Sequence, residues 1–434
     1  MKAQVTTMKP ALSGWFQSLS GVTLLVVFLS HLTTGLACGA EDAVDPYDAL
    51  YDVIMTRYGK DGKTYAENES SPALFSASEF PFDDKTYRKF IAALDTFGAL
   101  PQTEIEAYSD VKRALLQRHL WKLFDATCPH RWIDSRTGEQ RVASLNHSDR
   151  RAAVQQKSAS LIQRLALTKA QILALPGTWA ATVKSGDFAR RHDPTNQFAP
   201  FLPANLLAKE SSWVCMGTDE VIPADLHVDK LKWRSAFYSF IRLPKGRTET
   251  LEYVEKELSK DNFPVGTQLA LVEQAFLISD EGERILSPLI VSISLRTYMF
   301  VRRNAHDEVP ETTQSVAEFV MQPRELMLGN AVMKAIDPQE HRFDASEGFI
   351  AQDTSDPFET GHLPRRARLH SCMSCHRNSG NVKVLTRNGA GSAQFFESSP
   401  TAISKATSNQ KRNHHTWERL HEFWKKNVAR GDPH

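Results

Sequence analysis

Apolar positions in the first half of the chain recur at helical spacing. Asp83 and Asp84 open a predicted helix that Gly98 stops. A longer helix is predicted over 103–125, with Val111, Leu115, Leu116, Leu120, Leu123 and Phe124 on one face. Two further helical patterns occupy 148–165 and 168–175. Trp121, Trp132, Trp179, Trp213 and Trp233 read as core residues, because burying an indole removes a large apolar surface from water.

The period changes in the middle of the chain. Residues 236–242 form a short β-like run, and a helical pattern covers 249–258. Residues 268–279 read as a strand, Asp280-Glu281-Gly282-Glu283 as its turn and 285–300 as the return strand. Leu289, Val291, Ile293 and Leu295 alternate with Ile290, Ser292, Ser294 and Arg296, as in a sheet with one buried face. Pro288 has no amide to give a ladder, so it marks an edge or a bulge.

Beyond Pro323 a helix is expected to reach Ala335, and a loop-rich stretch covers 353–364. Residues 388–400 read as Gly/Ser-rich and irregular. The last helix is expected over 414–428, with Trp417, Leu420, Phe423 and Trp424 as its apolar stripe. The expected fold class is α+β: a mainly helical N-terminal half, a small antiparallel sheet in the middle and a helical segment at the C-terminus.

The N-terminus suggests a compartment. Lys2 and Lys9 are the charged residues of the first forty, the apolar run Val22–Leu29 follows, and then comes Gly35-Leu36-Ala37-Cys38-Gly39-Ala40. That is the order of a secretory signal, with cleavage expected after Ala40. An uncleaved anchor and a lipid on Cys38 are the alternatives. The apolar run is short for a membrane span, so no permanent span is expected. The expected division is therefore 1–40 as signal peptide, 41–320 as an α+β body and 321–434 as a C-terminal segment.

The formal net charge of +1 carries no general footprint for nucleic acid. Its distribution is uneven: residues 361–434 hold thirteen Lys/Arg against four Asp/Glu, while 41–360 hold thirty-seven against forty-seven. A basic C-terminal segment that meets an acidic body or an acidic redox partner would account for this. Ordinary surface variation would too.

The most specific chemistry is Cys372-Met373-Ser374-Cys375-His376. C-x-x-C-H is the spacing that attaches haem c covalently. Two thiols add across the porphyrin vinyl groups, and the adjacent histidine lies under the iron as its proximal ligand. A partial zinc site and a small redox disulfide are the alternatives. Zinc would need a fourth ligand, and no second C-x-x-C pair supplies one.

Through Cys372, Cys375 and His376 the chain resembles the c-type cytochromes, over less than a fifth of its length. The resemblance implies one covalent haem, iron redox chemistry and a helical haem segment against which the terminal helix packs. Small cytochromes c usually place an axial methionine downstream of the motif, and this chain has none after Met373. The candidate distal ligands are His414, His415 or His421 of the last helix, of which His414 and His421 share a face. Met321, Met327 or Met333 could reach from upstream, or the position stays open.

Cys128 and Cys215 are the other cysteines beyond the signal, and their even number suggests a disulfide in an oxidising compartment; two separate buried thiols are the alternative. The leading functional expectation is an exported, periplasmic bacterial haem protein that transfers single electrons to or from a redox partner protein. A haem-dependent sensor or binding protein and a peroxidase-like haem enzyme are the rival readings.

Overall fold

Residues 44–55, 57–58, 64–65, 84–128, 131–133, 140–142, 148–196, 199–218, 233–256, 258, 264–302, 311–336 and 395–429 are described by the computed structural model. The expected signal, the haem motif and the loop at 353–364 lie outside these residues. Helices α1 (Pro46–Met55), α2 (Asp84–Gly98), α3 (Gln102–Ala107), α4 (Asp110–Thr127), α5 (Ser148–Arg164), α6 (Lys169–Ala174) and α7 (Thr178–Ser185) precede the main sheet. Among them lie two short antiparallel pairs, β1 (Arg57–Tyr58) with β2 (Thr64–Tyr65) and β3 (Arg131–Ile133) with β4 (Gln140–Val142).

The sheet has seven antiparallel strands. β5 (Val214–Thr218), β6 (Ser235–Arg242), β7 (Gln268–Ile278), β8 (Arg284–Arg302), β9 (Glu311–Val320) and β10 (Lys334–Ala335) are neighbours in chain order. β11 (Phe395–Glu397) returns to pair with the outer side of β5. Helix α8 (Arg247–Lys256) lies between β6 and β7, and α9 (Pro323–Met327) between β9 and β10. Helices α10 (Pro400–Arg412) and α11 (His415–Ala429) follow β11. The mixed α+β class is as expected, but the sheet is larger than the small one read from 236–300.

Local chemistry explains several departures from the expected elements. The helix expected over 103–125 is two, because Ser109 caps α4 by accepting the amide of Lys112 at 3.3 Å. The helix expected to run from Pro323 to Ala335 stops at Met327. Gly329 takes a left-handed φ of 88°, and Lys334 and Ala335 then pair with β9. Residues 395–397, expected to be irregular, form β11, and Ser399 caps a helix, α10, ahead of the expected last one.

The β7–β8 hairpin is close to expectation. Gly282, at φ 74°, allows the turn, and the amide of Ser279 donates to the carbonyl of Glu283 at 2.8 Å. Pairing passes from Gln274 with Ile290 to Phe276 with Leu286, so residues 287–289 bulge opposite Ala275. Pro288 therefore sits in a bulge. Side chains mend it: Ser287 Oγ donates to Ala275 O at 2.8 Å and Gln274 Nε2 to Ser287 O at 2.7 Å. Both faces of β8 are covered, contrary to expectation, since Ser292, Ser294 and Arg296 are buried like Val291, Ile293 and Leu295.

Helix α4 runs through the core and is buried on nearly every side from Arg113 to Thr127. It was expected to be buried along one face alone. Trp121 and Phe124 share a buried cluster with Phe276, Ile293, Ile403, Trp417, Leu420 and Trp424. Residues from both sides of position 320 thus build one core among the described residues. The expected boundary between body and C-terminal segment does not separate the described residues. Trp213 is also buried, Trp179 and Trp233 are half-buried, and the side chain of Trp132 lies outside the described residues.

Candidate functional site

Cys372, Cys375 and His376 lie outside the described residues. Of the other residues expected at the iron, His414 and His415 sit where α10 turns into α11, and His421 lies within α11. This corner is held against α4 by buried charge.

The polar residues of α4 do the holding. Gln117 Nε2 donates to Ile278 O at 2.8 Å, and its Oε1 accepts from the Ile278 amide at 3.0 Å, so it extends the end of β7 as a further strand would. Arg118 donates to the carbonyls of Arg234 and Phe276 at 3.0 and 3.2 Å and faces buried Glu273 at 3.4 Å. About two turns further on, Asp125 Oδ2 receives Arg234 Nη1 and Lys411 Nζ, each at 2.9 Å. Burial alone would raise the Asp125 carboxyl; Lys411 and Arg234 outweigh it and hold it below the usual carboxylate range. Burial pushes the Lys411 ammonium down to about 8, against the pull of Asp125.

From Lys411 a hydrogen-bonded path leads outward. Lys411 Nζ donates to Thr416 Oγ1 at 2.8 Å, and that hydroxyl lies 2.9 Å from His414 Nδ1. The Thr416 amide also points at His414 Nδ1, at 3.3 Å, which makes His414 the N-cap of α11 through its ring nitrogen. Accepting there places the proton of a neutral ring on Nε2. The rings of His414 and His415 lie 4.4 Å apart.

His421 has different surroundings. Its ring centroid lies 4.6 Å from Trp417 and 4.8 Å from Trp424, both in edge-to-face contact. A Cβ on Gly282 would come within 3.8 Å of its Cε1, so the ring rests against the β7–β8 turn. Burial, then Lys425 and Arg284, push its pKa down and keep the imidazole neutral. Trp424 Nε1 donates to Ala159 O of α5 at 2.8 Å, and Trp417 meets Trp121 of α4 at 5.7 Å. The apolar stripe of α11 was read correctly from the sequence; among the described residues it packs on α4 and α5.

The upstream methionines are engaged in packing. Met321 and Met333 are buried, and the Met327 thioether accepts from the Tyr47 hydroxyl at 3.6 Å. Cys128 and Cys215 are free buried thiols, a correction to the expected disulfide. They sit at the C-cap of α4 and within β5, where Gln155 Nε2 lies 3.8 Å from the Cys128 sulfur. Burial, with Glu397 nearby, pushes the Cys215 thiol up to about 12, which leaves it inert.

Among the described residues no three His, Cys, Asp or Glu side chains gather as a metal site, and no helix is long and apolar enough to cross a membrane. Comparison with family models, curated proteins and solved structures finds no match to this chain. The buried residues Asp125, Arg234 and Lys411 were not singled out from the sequence. A charged residue reads as solvent-facing unless its partners, here more than a hundred residues away, are known.

Proposed function

We propose that this chain is an exported c-type cytochrome-like protein that carries one covalent haem and transfers single electrons. The observation that supports this most is Cys372-Met373-Ser374-Cys375-His376, following an N-terminal segment ordered like a secretory signal. In this reading Cys372 and Cys375 carry the thioether bonds in a helical cytochrome c-like segment, and His376 is the proximal ligand. The haem supplies the one-electron chemistry; the polypeptide sets its burial, ligation and hydrogen bonding.

Among the candidate distal ligands, the surroundings of His421 favour it. Its imidazole is held neutral, the form that binds iron, and no hydrogen bond fixes its tautomer among the described contacts. His414 is less suited, since the acceptor role of Nδ1 puts the proton on the nitrogen that would otherwise ligate. Met321, Met327 and Met333 would have to leave packed positions. The basic residues of 361–434 suit an acidic redox partner.

Optical spectra test the assignment. A reduced low-spin spectrum unchanged by carbon monoxide is expected, with ligand binding appearing in His421→Ala. High-spin wild-type iron that binds carbon monoxide would count against electron transfer with a bound distal histidine and would favour a sensor or an enzyme.

A further inference from the structure

The corner between α10, α11 and the β7–β8 turn holds more positive charge than its described partners balance. Arg284 opens β8 immediately after the turn and is 9% exposed. Its Nη2 donates to the carbonyl and the hydroxyl of Ser408, the latter at 3.0 Å, and its guanidinium lies 4.8 Å from the Trp417 ring centre. Nη1 is buried, with no hydrogen-bond acceptor among the described residues.

The charged groups around it are mostly of its own sign. Arg412 on α10 and the buried Lys411 raise the local positive potential, and His421 faces it from α11. Asp125 on α4 is the carboxylate that acts on Arg284, and its Oδ2 is already engaged by Lys411 and Arg234. Burial and Arg412 together push the Arg284 guanidinium down to about 9. The C-terminal carbonyls of α10 offset some of this charge through Ser408 O. They leave a planar donor unpaired, and a buried unpaired donor on a cation is costly.

We propose that Arg284, flanked by Arg412, binds a small anion of the carboxylate or phosphate class at the α10–α11 corner. Guanidinium presents parallel N–H groups that match two oxygens of such an anion, and the indole face of Trp417 holds the fork in plane. Arg412, whose charge acts on Arg284, is exposed, so the solvent-facing side of the corner is positive as well. Two sources share this chemistry: a free anion, and a carboxylate of a covalently attached haem. The inference rests on the charge and geometry of the corner, and it does not require the haem reading.

The test titrates the full mature chain with inorganic phosphate and, separately, acetate, at ionic strength held constant with chloride. Tryptophan fluorescence and thermal midpoint are followed. A saturable response is expected in the haem-free Cys372→Ala/Cys375→Ala protein. It should be lost in that protein carrying Arg284→Met and weakened at least threefold with Arg412→Gln, an exposed change that leaves the fold intact. A response retained in the haem-bearing wild type assigns the site to free anions. A response absent from the wild type and present in the haem-free protein assigns it to a haem carboxylate. No saturable response in the haem-free chain, or equal responses with and without Arg412→Gln, would overturn the proposal.

Discussion

Lys411 Nζ lies 2.9 Å from Asp125 Oδ2, across 286 positions of sequence, with both side chains fully buried. The pair fastens α10 and α11, and with them the candidate distal histidines, to the central helix. Arg234 shares the same carboxylate oxygen, so one buried anion answers two cations within hydrogen-bond distance.

That imbalance orders the effects of substitution. Asp125→Asn leaves buried cations without their counter-charge and should cost about 3–5 kcal/mol. Lys411→Met removes one of the two cations and keeps the volume, so its cost should be smaller. Urea unfolding measures both; an Asp125→Asn protein as stable as Lys411→Met would contradict the arrangement.

The pH dependence follows from the direction of the Lys411 shift. Burial lowers its pKa in the folded chain to about 8 from an ordinary 10.5, so between those values the unfolded chain binds more protons. Stability should therefore rise with pH across that window, by at most about 1.4 kcal/mol per pH unit, for wild type relative to Lys411→Met. Asp125 is shifted down, so its contribution is present above the ordinary carboxylate pKa and is lost on acidification. Parallel unfolding curves of wild type and Lys411→Met at pH 8 and pH 10 would refute the first statement.

Gly217 of β5 approaches β11 closely. A Cβ there would stand 2.6 Å from Ser398 Cβ and 3.1 Å from Phe396. Gly217→Ala should push the return strand away, at a cost of about 1–3 kcal/mol. Amide exchange should then accelerate at Phe396 and Ser398 more than in β7 and β8; unchanged exchange there would show that the contact is slack.

The free thiols can be counted. Cys128 and Cys215 should resist alkylation in the native protein and both react once it is unfolded without reductant. Peptide mapping that finds them joined in a disulfide would contradict the structure.

The parts of this protein that were legible in its sequence depend on neighbours in the chain. The β7–β8 hairpin follows from alternation around Gly282 and the α11 stripe from helical spacing. What was missed depends on distant ones. Ser109 splits a helix whose apolar face runs on past it. β11 is three residues long and is recognisable through its pairing with β5. Asp125 and Lys411 each look like a solvated charge until they meet. The single-faced pattern of β8 misled for a related reason, since Ser292 bonds buried Glu273 at 3.2 Å and so can face the interior.

The central claim, covalent haem on Cys372 and Cys375, is tested most directly on a denaturing gel stained for haem. The protein would be made in a host able to mature cytochrome c. The stain should stay with the wild-type polypeptide and be lost in Cys372→Ala/Cys375→Ala. An unstained wild-type band under those conditions would contradict it.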